Sequence, residues 1–361
     1  MHYLGVFALS TLLLQKIASR SKLWRQILIV VVVGVTALLS GLRAPSIGSD
    51  TSSYPLGCYK FASVSSHYAN YDDHVSEFYF MKEIGYKVLA YVSTKIYNDF
   101  NFFLFVCAVI VNAGFMYFFW HMSKKYQIPL WLLWLSYYCL MFNQSLNLAK
   151  QFLAISFCLI AYVLFDSGRK KLSVFFFCVA LTFHFTAIAF LFFVYERFVK
   201  SNVIRIGVIV CAAVTLLGNY FLLEKVMSSH WLLSRFASYL SSKNGDVPVF
   251  EVMFHSLFLI VPLYLWVVRS VRLKKEVIIR FSYLIIIEIS FFLFNMISAQ
   301  AGRMGMYLLP MCLVYVPLVV TNSRARKPLT LAYAFSLLAF WFITIVYQGS
   351  TQSYPYESIL D

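Results

Sequence analysis

Long apolar runs, each near the length of a membrane-crossing helix, alternate along this chain with short polar stretches rich in lysine and arginine. Ile27 to Leu42 carries no charge, and neither does Phe102 to Trp120. Strands of a membrane barrel would alternate apolar and polar positions, whereas these runs are continuous. Backbone groups in lipid must be satisfied within their own segment, so the runs are predicted to be helices. The pattern places spans up to Lys16 and over 27–42, 101–122, 129–142, 148–165, 203–222, 252–268, 281–298, 304–320 and 329–347. The expected class is an all-α polytopic integral membrane protein of about 11–12 transmembrane or re-entrant helices. It is read as a single helical domain over 1–361, with external segments at 43–99 and 223–250.

One stretch breaks the pattern. Residues 172–197 have basic clusters at both ends, so a single span would leave one cluster outside. Two legs of about a dozen residues, turning at Thr182 to Thr186, keep both clusters inside. Each leg is then roughly 18 Å long, short of the ~30 Å hydrocarbon core. A short-legged or re-entrant hairpin with His184 at its tip is predicted.

Composition supports the membrane reading. The 361 residues are 61% hydrophobic, 19% aromatic and 12% charged, against about 25% charged in soluble domains. A net charge of +15 would suggest nucleic acid in a soluble protein. Here the basic residues cluster in short loops, as the positive-inside rule describes, and nucleic acid is not an expected partner. The N-terminal stretch lacks a basic leader and is read as a retained span; both termini are expected outside. Six of the seven cysteines lie in apolar runs, and their spacing suits neither zinc nor a disulfide framework. No internal repeat stands out, which weighs against an inverted-repeat transporter.

Four cations depart from the charge rule, and all lie beside polar clusters. Arg43 precedes Gly48, Ser49, Asp50, Thr51 and Tyr54, Lys150 follows Asn143, Gln144, Ser145 and Asn147, and Arg303 follows Ser298 and Gln300. Arg235 and Tyr239, like Arg303 and Tyr307, are spaced to share a helix face. Snorkelling to headgroups is the plain explanation. The sharper one is a cationic pocket for an anionic lipid headgroup joined to something polar, such as a lipid-linked sugar pyrophosphate. Residues 77–99 form an amphipathic pattern, with Met81, Ile84, Val88, Leu89, Val92 and Ile96 on one side and Lys82, Glu83, Tyr86, Ser93 and Thr94 on the other. Such a helix is expected in the interface plane, as a surface connector or as a roof over lateral lipid access.

Candidate chemistry is sparse. Asp72, Asp73, His74 and Glu77 match no metal scaffold and read as a solvated face; no metal or other cofactor is expected. His184 is either packing glue or an acid–base group, and Glu288, in the middle of a span, is anomalous in the same way.

Taken in order, these segments resemble the EpsG-type family of bacterial polysaccharide polymerases, which overlaps the Wzy-type O-antigen polymerases. "LRAPSIGSDTSSY" is similar to the family's loop after the second span and places Arg43, Gly48, Asp50 and Tyr54. "EIGYKVLAYVS" places Glu83, Gly85 and Tyr86; "NLAKQFLAISFCLIA" places Gln151 and Ala154; "ALTFHFTAIAFLFF" places Phe183, His184 and Ala187. "RFASYL" and "RMGMYLLP" place Arg235, Tyr239, Arg303 and Tyr307. Lys150 stands where the family's helix has arginine, keeping the charge but losing the bidentate fork.

The resemblance implies a glycosyltransferase-C-like, metal-independent enzyme of the bacterial inner membrane. It would polymerise undecaprenyl-pyrophosphate-linked oligosaccharide repeat units, as donor and acceptor, at the periplasmic face, with a chain-length regulator as a partner. Arg43, Lys150, Gln151, Arg235 and Arg303, with Tyr54, Tyr239 and Tyr307, would bind substrate and pyrophosphate. His184 is the first choice of base, then Asp50 and Glu83. A flippase for the same unit and a lipid-linked glycan ligase are the alternatives.

Overall fold

The computed structural model of the chain describes residues 2–17, 20–79, 81–191, 249–293 and 303–360. Among these the regular elements are helical; the only β-pairings are isolated bridges, Arg43 with Ser358 and Val271 with Ser323. The all-α polytopic class is therefore what the chain adopts. Two compact units divide it, 1–187 with 331–361, and 188–330.

The first unit contains α1 (His2–Gln15), α2 (Lys22–Gly41), α3 (Tyr54–Val64), α4 (Tyr68–Tyr79), α5 (Ile84–Ile96) and α6 (Phe100–Tyr126). It continues with α7 (Leu130–Tyr137), a π-helical turn (Tyr138–Phe142), α8 (Asn143–Asn147), α9 (Ala149–Asp166) and α10 (Lys170–Phe183). Helices α2, α6 and α9 are long and apolar enough to cross a membrane. Their ends sort by charge. Asn101 at the start of α6 donates to Gly41 O (2.6 Å) at the end of α2. At the other end Asp166 of α9 receives Lys125 (2.8 Å) and His121 (2.5 Å) of α6. Lys22, Arg25 and Lys124 also lie on that basic end.

Aromatic rings fill the core. Phe7 stacks on Tyr138 with centroids 4.2 Å apart, and Phe115 lies 4.5 Å from Tyr137. Several polar groups carried into this core are bonded, as an apolar surround favours, although Trp134 Nε1 has no hydrogen-bond partner among the described residues. Tyr138 OH donates to Ser10 Oγ (2.8 Å), and Tyr137 OH donates to Asn112 Oδ1 (3.0 Å). Asn143, just after the π-turn, donates to Ser353 Oγ (2.9 Å) and accepts from Trp341 Nε1 (2.8 Å). Val30, Phe335 and Phe342 present large apolar side chains outward, as lipid-facing positions do.

The segment at 77–99 is built differently from the expectation. Helix α4 ends at Tyr79 and α5 starts at Ile84, so 77–99 is not one helix. The faces of α5 are also reversed. Ile84, Val88, Val92 and Ile96 are exposed, whereas Tyr86, Lys87, Ser93 and Thr94 are buried. The buried charge is compensated, since Lys87 pairs with Asp72 and donates to Ser76 Oγ (2.9 Å). A helix whose polar side meets protein and whose apolar side faces outward is suited to lipid contact.

Helix α10 is 14 residues long, about 21 Å of rise, and is capped at its C-terminus by His184. A 3₁₀ turn (Phe185–Phe190) follows. The rest of the hairpin, the span at 203–222 and nearly all of the segment at 223–250 lie outside the described residues, as do Arg235 and Tyr239.

The second unit holds α11 (Val249–Val267), α12 (Lys275–Leu293) and α13 (Leu309–Thr321). Glu288 of α12 is fully buried and has a partner on another helix, His255 Nδ1 of α11 at 2.5 Å. Ser282 and Tyr315 join α12 to α13 at 3.0 Å. Helix α14 (Arg326–Trp341) continues through a second π-helical turn (Phe342–Tyr347), and together they are long and apolar enough to cross a membrane.

Candidate functional site

Four of the sequence-predicted segments meet in the first unit. The chain leaves α2 at Leu42 and turns through Gly48, whose φ of +90° is a left-handed conformation that favours glycine. A side chain there would also press on Thr51 Oγ1 (2.9 Å) and Leu146 O (3.1 Å). Asn147 fixes the next turn. Its Oδ1 accepts from Asp50 N (2.9 Å) and Ser49 Oγ (3.0 Å). The loop that begins at Arg43 is thus held on the junction between α8 and α9, one turn before Lys150.

Arg43 is 3% exposed. Its Nη1 donates to Ser40 O (2.6 Å) and its Nη2 to Leu146 O (3.1 Å), carbonyls near the ends of α2 and α8. A cation at two helix C-termini is electrostatically favoured. Burial nevertheless pulls the guanidinium below its ordinary pKa, by desolvating the charged form. Nε has no hydrogen-bond partner among the described residues. Arg43 also lines a cavity of about 20 Å³ with Asn112 and Ser145, room for about one water. The backbone at Arg43 is clamped by the C-terminal tail: Ala44 N donates to Glu357 O, and Ile359 N donates to Leu42 O, both at 2.9 Å.

Lys150, on the first turn of α9, sits 3.3 Å from Glu83 Oε2 and 4.5 Å from the Tyr54 ring centroid. Tyr54 in turn meets Tyr86 edge-on, with centroids 6.0 Å apart. Tyr86 is fully buried, its hydroxyl has no partner among the described residues, and burial pushes its phenol well above the usual range. Cys58, on α3, is pushed up to about 12 by burial, an effect the Lys150 charge partly offsets. Gln151 is 2% exposed. Lys150 therefore has an acid on one side and an aromatic face on the other, with its side chain 17% exposed.

Glu83 and His184 belong to adjoining surfaces through Gly85. A Cβ on Gly85 would overlap Thr182 Oγ1 and come within 3.0 Å of the Phe183 ring. Glycine is what lets α5 approach the end of α10. His184 is half-buried, and its Nδ1 lies 2.6 Å from Thr186 Oγ1 and 3.3 Å from Thr186 N. The Thr186 N–H makes Nδ1 an acceptor, so the neutral ring carries its proton on Nε2, the form that donates. Asp50 is half-buried, and its carboxylate makes no ion pair with any described residue.

Arg303 and Tyr307 lie in the second unit. They do not share one regular helix face: a helical stretch at 303–305 gives way to turns at 306–308 before α13, Arg303 is half-buried and Tyr307 fully buried. Sequence reasoning did not pick out Asn101, Tyr3 or the tail at 350–360 as supports of the site. Tyr3 OH donates to Ser353 O (2.8 Å), and Tyr356 OH donates to Leu39 O (2.8 Å). No local pattern marks such long-range partners.

Neither the curated proteins nor the solved structures include a match to this chain. The profile of the EpsG family aligns with residues 26–358, a span that contains every motif described above. The chain belongs to the EpsG family.

Proposed function

We propose that the chain polymerises undecaprenyl-pyrophosphate-linked oligosaccharide repeat units at the periplasmic face of the bacterial inner membrane. Family membership supports the coarse reading, a membrane polymerase of polysaccharide biosynthesis. The observation that carries the finer reading is Lys150, placed between the Glu83 carboxylate and the Tyr54 ring at the end of the unit away from the basic clusters. By the positive-inside rule that end is periplasmic.

The acceptor sugar hydroxyl attacks the anomeric carbon of the donor glycan. The bond from that carbon to the pyrophosphate oxygen breaks, and the carrier lipid leaves as its pyrophosphate. Lys150 meets the charge that develops on the leaving group; Arg235 and Arg303 are proposed as pyrophosphate-binding from their sequence motifs alone. Arg43, engaged by two helix ends, contributes positive potential and holds the loop that presents Asp50. The acceptor proton passes to a carboxylate, Asp50 before Glu83, because Glu83 is already paired with Lys150. His184, with its proton on Nε2, donates a hydrogen bond to substrate. Tyr54 and Gln151 belong to the proposed substrate surface, Tyr239 and Tyr307 are proposed as substrate-binding from their sequence motifs alone, and a chain-length regulator is the proposed protein partner.

The glycan length distribution in a strain lacking the protein tests the reading. Single repeat units on the final acceptor support polymerisation. Absence of any transferred glycan points to a flippase or a ligase and overturns it.

A further inference from the structure

At the basic end of the first unit, a cavity of about 420 Å³ opens between the end of α1, the start of α2, the end of α6 and the start of α7. Arg25 and Lys124 line it, with Trp120, Trp131, Gln15 and Gln127. No described residue lining it is acidic. Its size falls in the range of small-molecule pockets, roughly 300–1,000 Å³. The cations are positioned: Arg25 Nε is held by Arg20 O (2.7 Å), and Lys124 Nζ lies 4.4 Å from the Trp120 ring. Large apolar side chains on the same helix ends face outward, Leu12 on α1 and Leu23 and Trp24 on α2.

We infer that this cavity binds the phosphodiester headgroup of an anionic membrane lipid, with its acyl chains along the exposed apolar side chains of α1 and α2. Two fixed cations and no lining carboxylate select an anion. Tryptophans beside them suit the headgroup depth of a bilayer, where one side of the ring is apolar and the other wet. Basic pockets between helices at the cytoplasmic surface are a recurrent lipid-binding geometry. The site is separate from that of the lipid-linked substrate. Arg25 and Arg43 stand at opposite ends of α2, about 27 Å apart along its axis.

The test uses the full-length protein in detergent, titrated with dioleoyl-phosphatidylglycerol or dioleoyl-phosphatidylethanolamine, with bound lipid read by native mass spectrometry. Phosphatidylglycerol binds more tightly than phosphatidylethanolamine, and Lys124→Gln weakens it about fivefold, one near-surface charge. Lys124→Glu weakens it further, and neither change alters phosphatidylethanolamine binding. Lys171→Glu, an exposed charge reversal outside the cavity, leaves both lipids unaffected. Inorganic phosphate does not displace the lipid. Equal binding of the two lipids overturns the inference, as does unchanged phosphatidylglycerol affinity in a folded Lys124→Glu protein. An equal loss in Lys171→Glu, which would mean generic surface attraction, overturns it too. Displacement by inorganic phosphate would make this a soluble-anion site and overturn the lipid assignment.

Discussion

Lys150 Nζ stands 3.3 Å from Glu83 Oε2 while its charge lies 4.5 Å from the Tyr54 ring centroid. One cation thus joins three motifs that are distant in sequence. A lysine held by an acid and a ring can release the acid when a stronger anion arrives, and a pyrophosphate is such an anion.

Lys150→Met is expected to lower polymer formation about 10²–10³-fold, the usual loss for one donor to a developing charge. Lys150→Arg is expected to retain activity, since it keeps the charge and adds a fork. Glycan length profiles at matched membrane protein levels decide the point. Full-length polymer from Lys150→Met would remove the residue from the site.

Asp50 and His184 separate by role. Asp50→Asn removes a proton acceptor and should reduce the rate about 10²–10⁴-fold with normal protein level. His184→Gln keeps a donor and should retain most activity, whereas His184→Phe should lose it. If His184→Gln is as inactive as His184→Phe while Asp50→Asn works normally, the base is the histidine.

Gly85 is the contact point between α5 and α10. Gly85→Ala should lower the thermal unfolding midpoint in detergent, because overpacking of this kind costs about 1–3 kcal/mol. Thr182→Ala removes the nearest obstructing atom and should recover part of that loss in the double variant. An unchanged midpoint in Gly85→Ala would show that the approach is looser than described.

Much of this was legible in the sequence. Charge clusters at alternate ends of apolar runs fixed which ends of α2, α6, α9 and α10 lie together, because crossing a bilayer leaves few other arrangements. Gly48 and Gly85 stood in the family-like motifs, but the turn and the close approach that they allow emerged only from the structure. The orientation of α5 was not legible. An amphipathic pattern says that two surroundings differ, not which of them is lipid and which is protein. The strap from Ser353 to Ser358 was hidden too, since it pairs with Arg43 across most of the chain. His255 carried no signal as the partner of Glu288 until α11 was placed beside α12.

That buried pair is itself testable. Glu288→Leu removes the carboxylate that lies 2.5 Å from His255 Nδ1, and losing the partner of a buried polar group costs about 1–3 kcal/mol. The double change Glu288→Leu with His255→Leu should be more stable than Glu288→Leu alone, read as the unfolding midpoint in detergent. A double variant no more stable than the single one would mean that the two side chains are not coupled.

Polymerisation by the purified protein is the most direct measurement. Proteoliposomes containing the full chain would be supplied with undecaprenyl-pyrophosphate-linked repeat units, and both glycan length and released carrier would be followed. The predicted result is a ladder of lipid-linked glycans, with one undecaprenyl pyrophosphate freed for each repeat added, and no ladder from Lys150→Met. Repeat units that remain single with no carrier released, in liposomes whose wild-type protein is folded, would contradict the assignment.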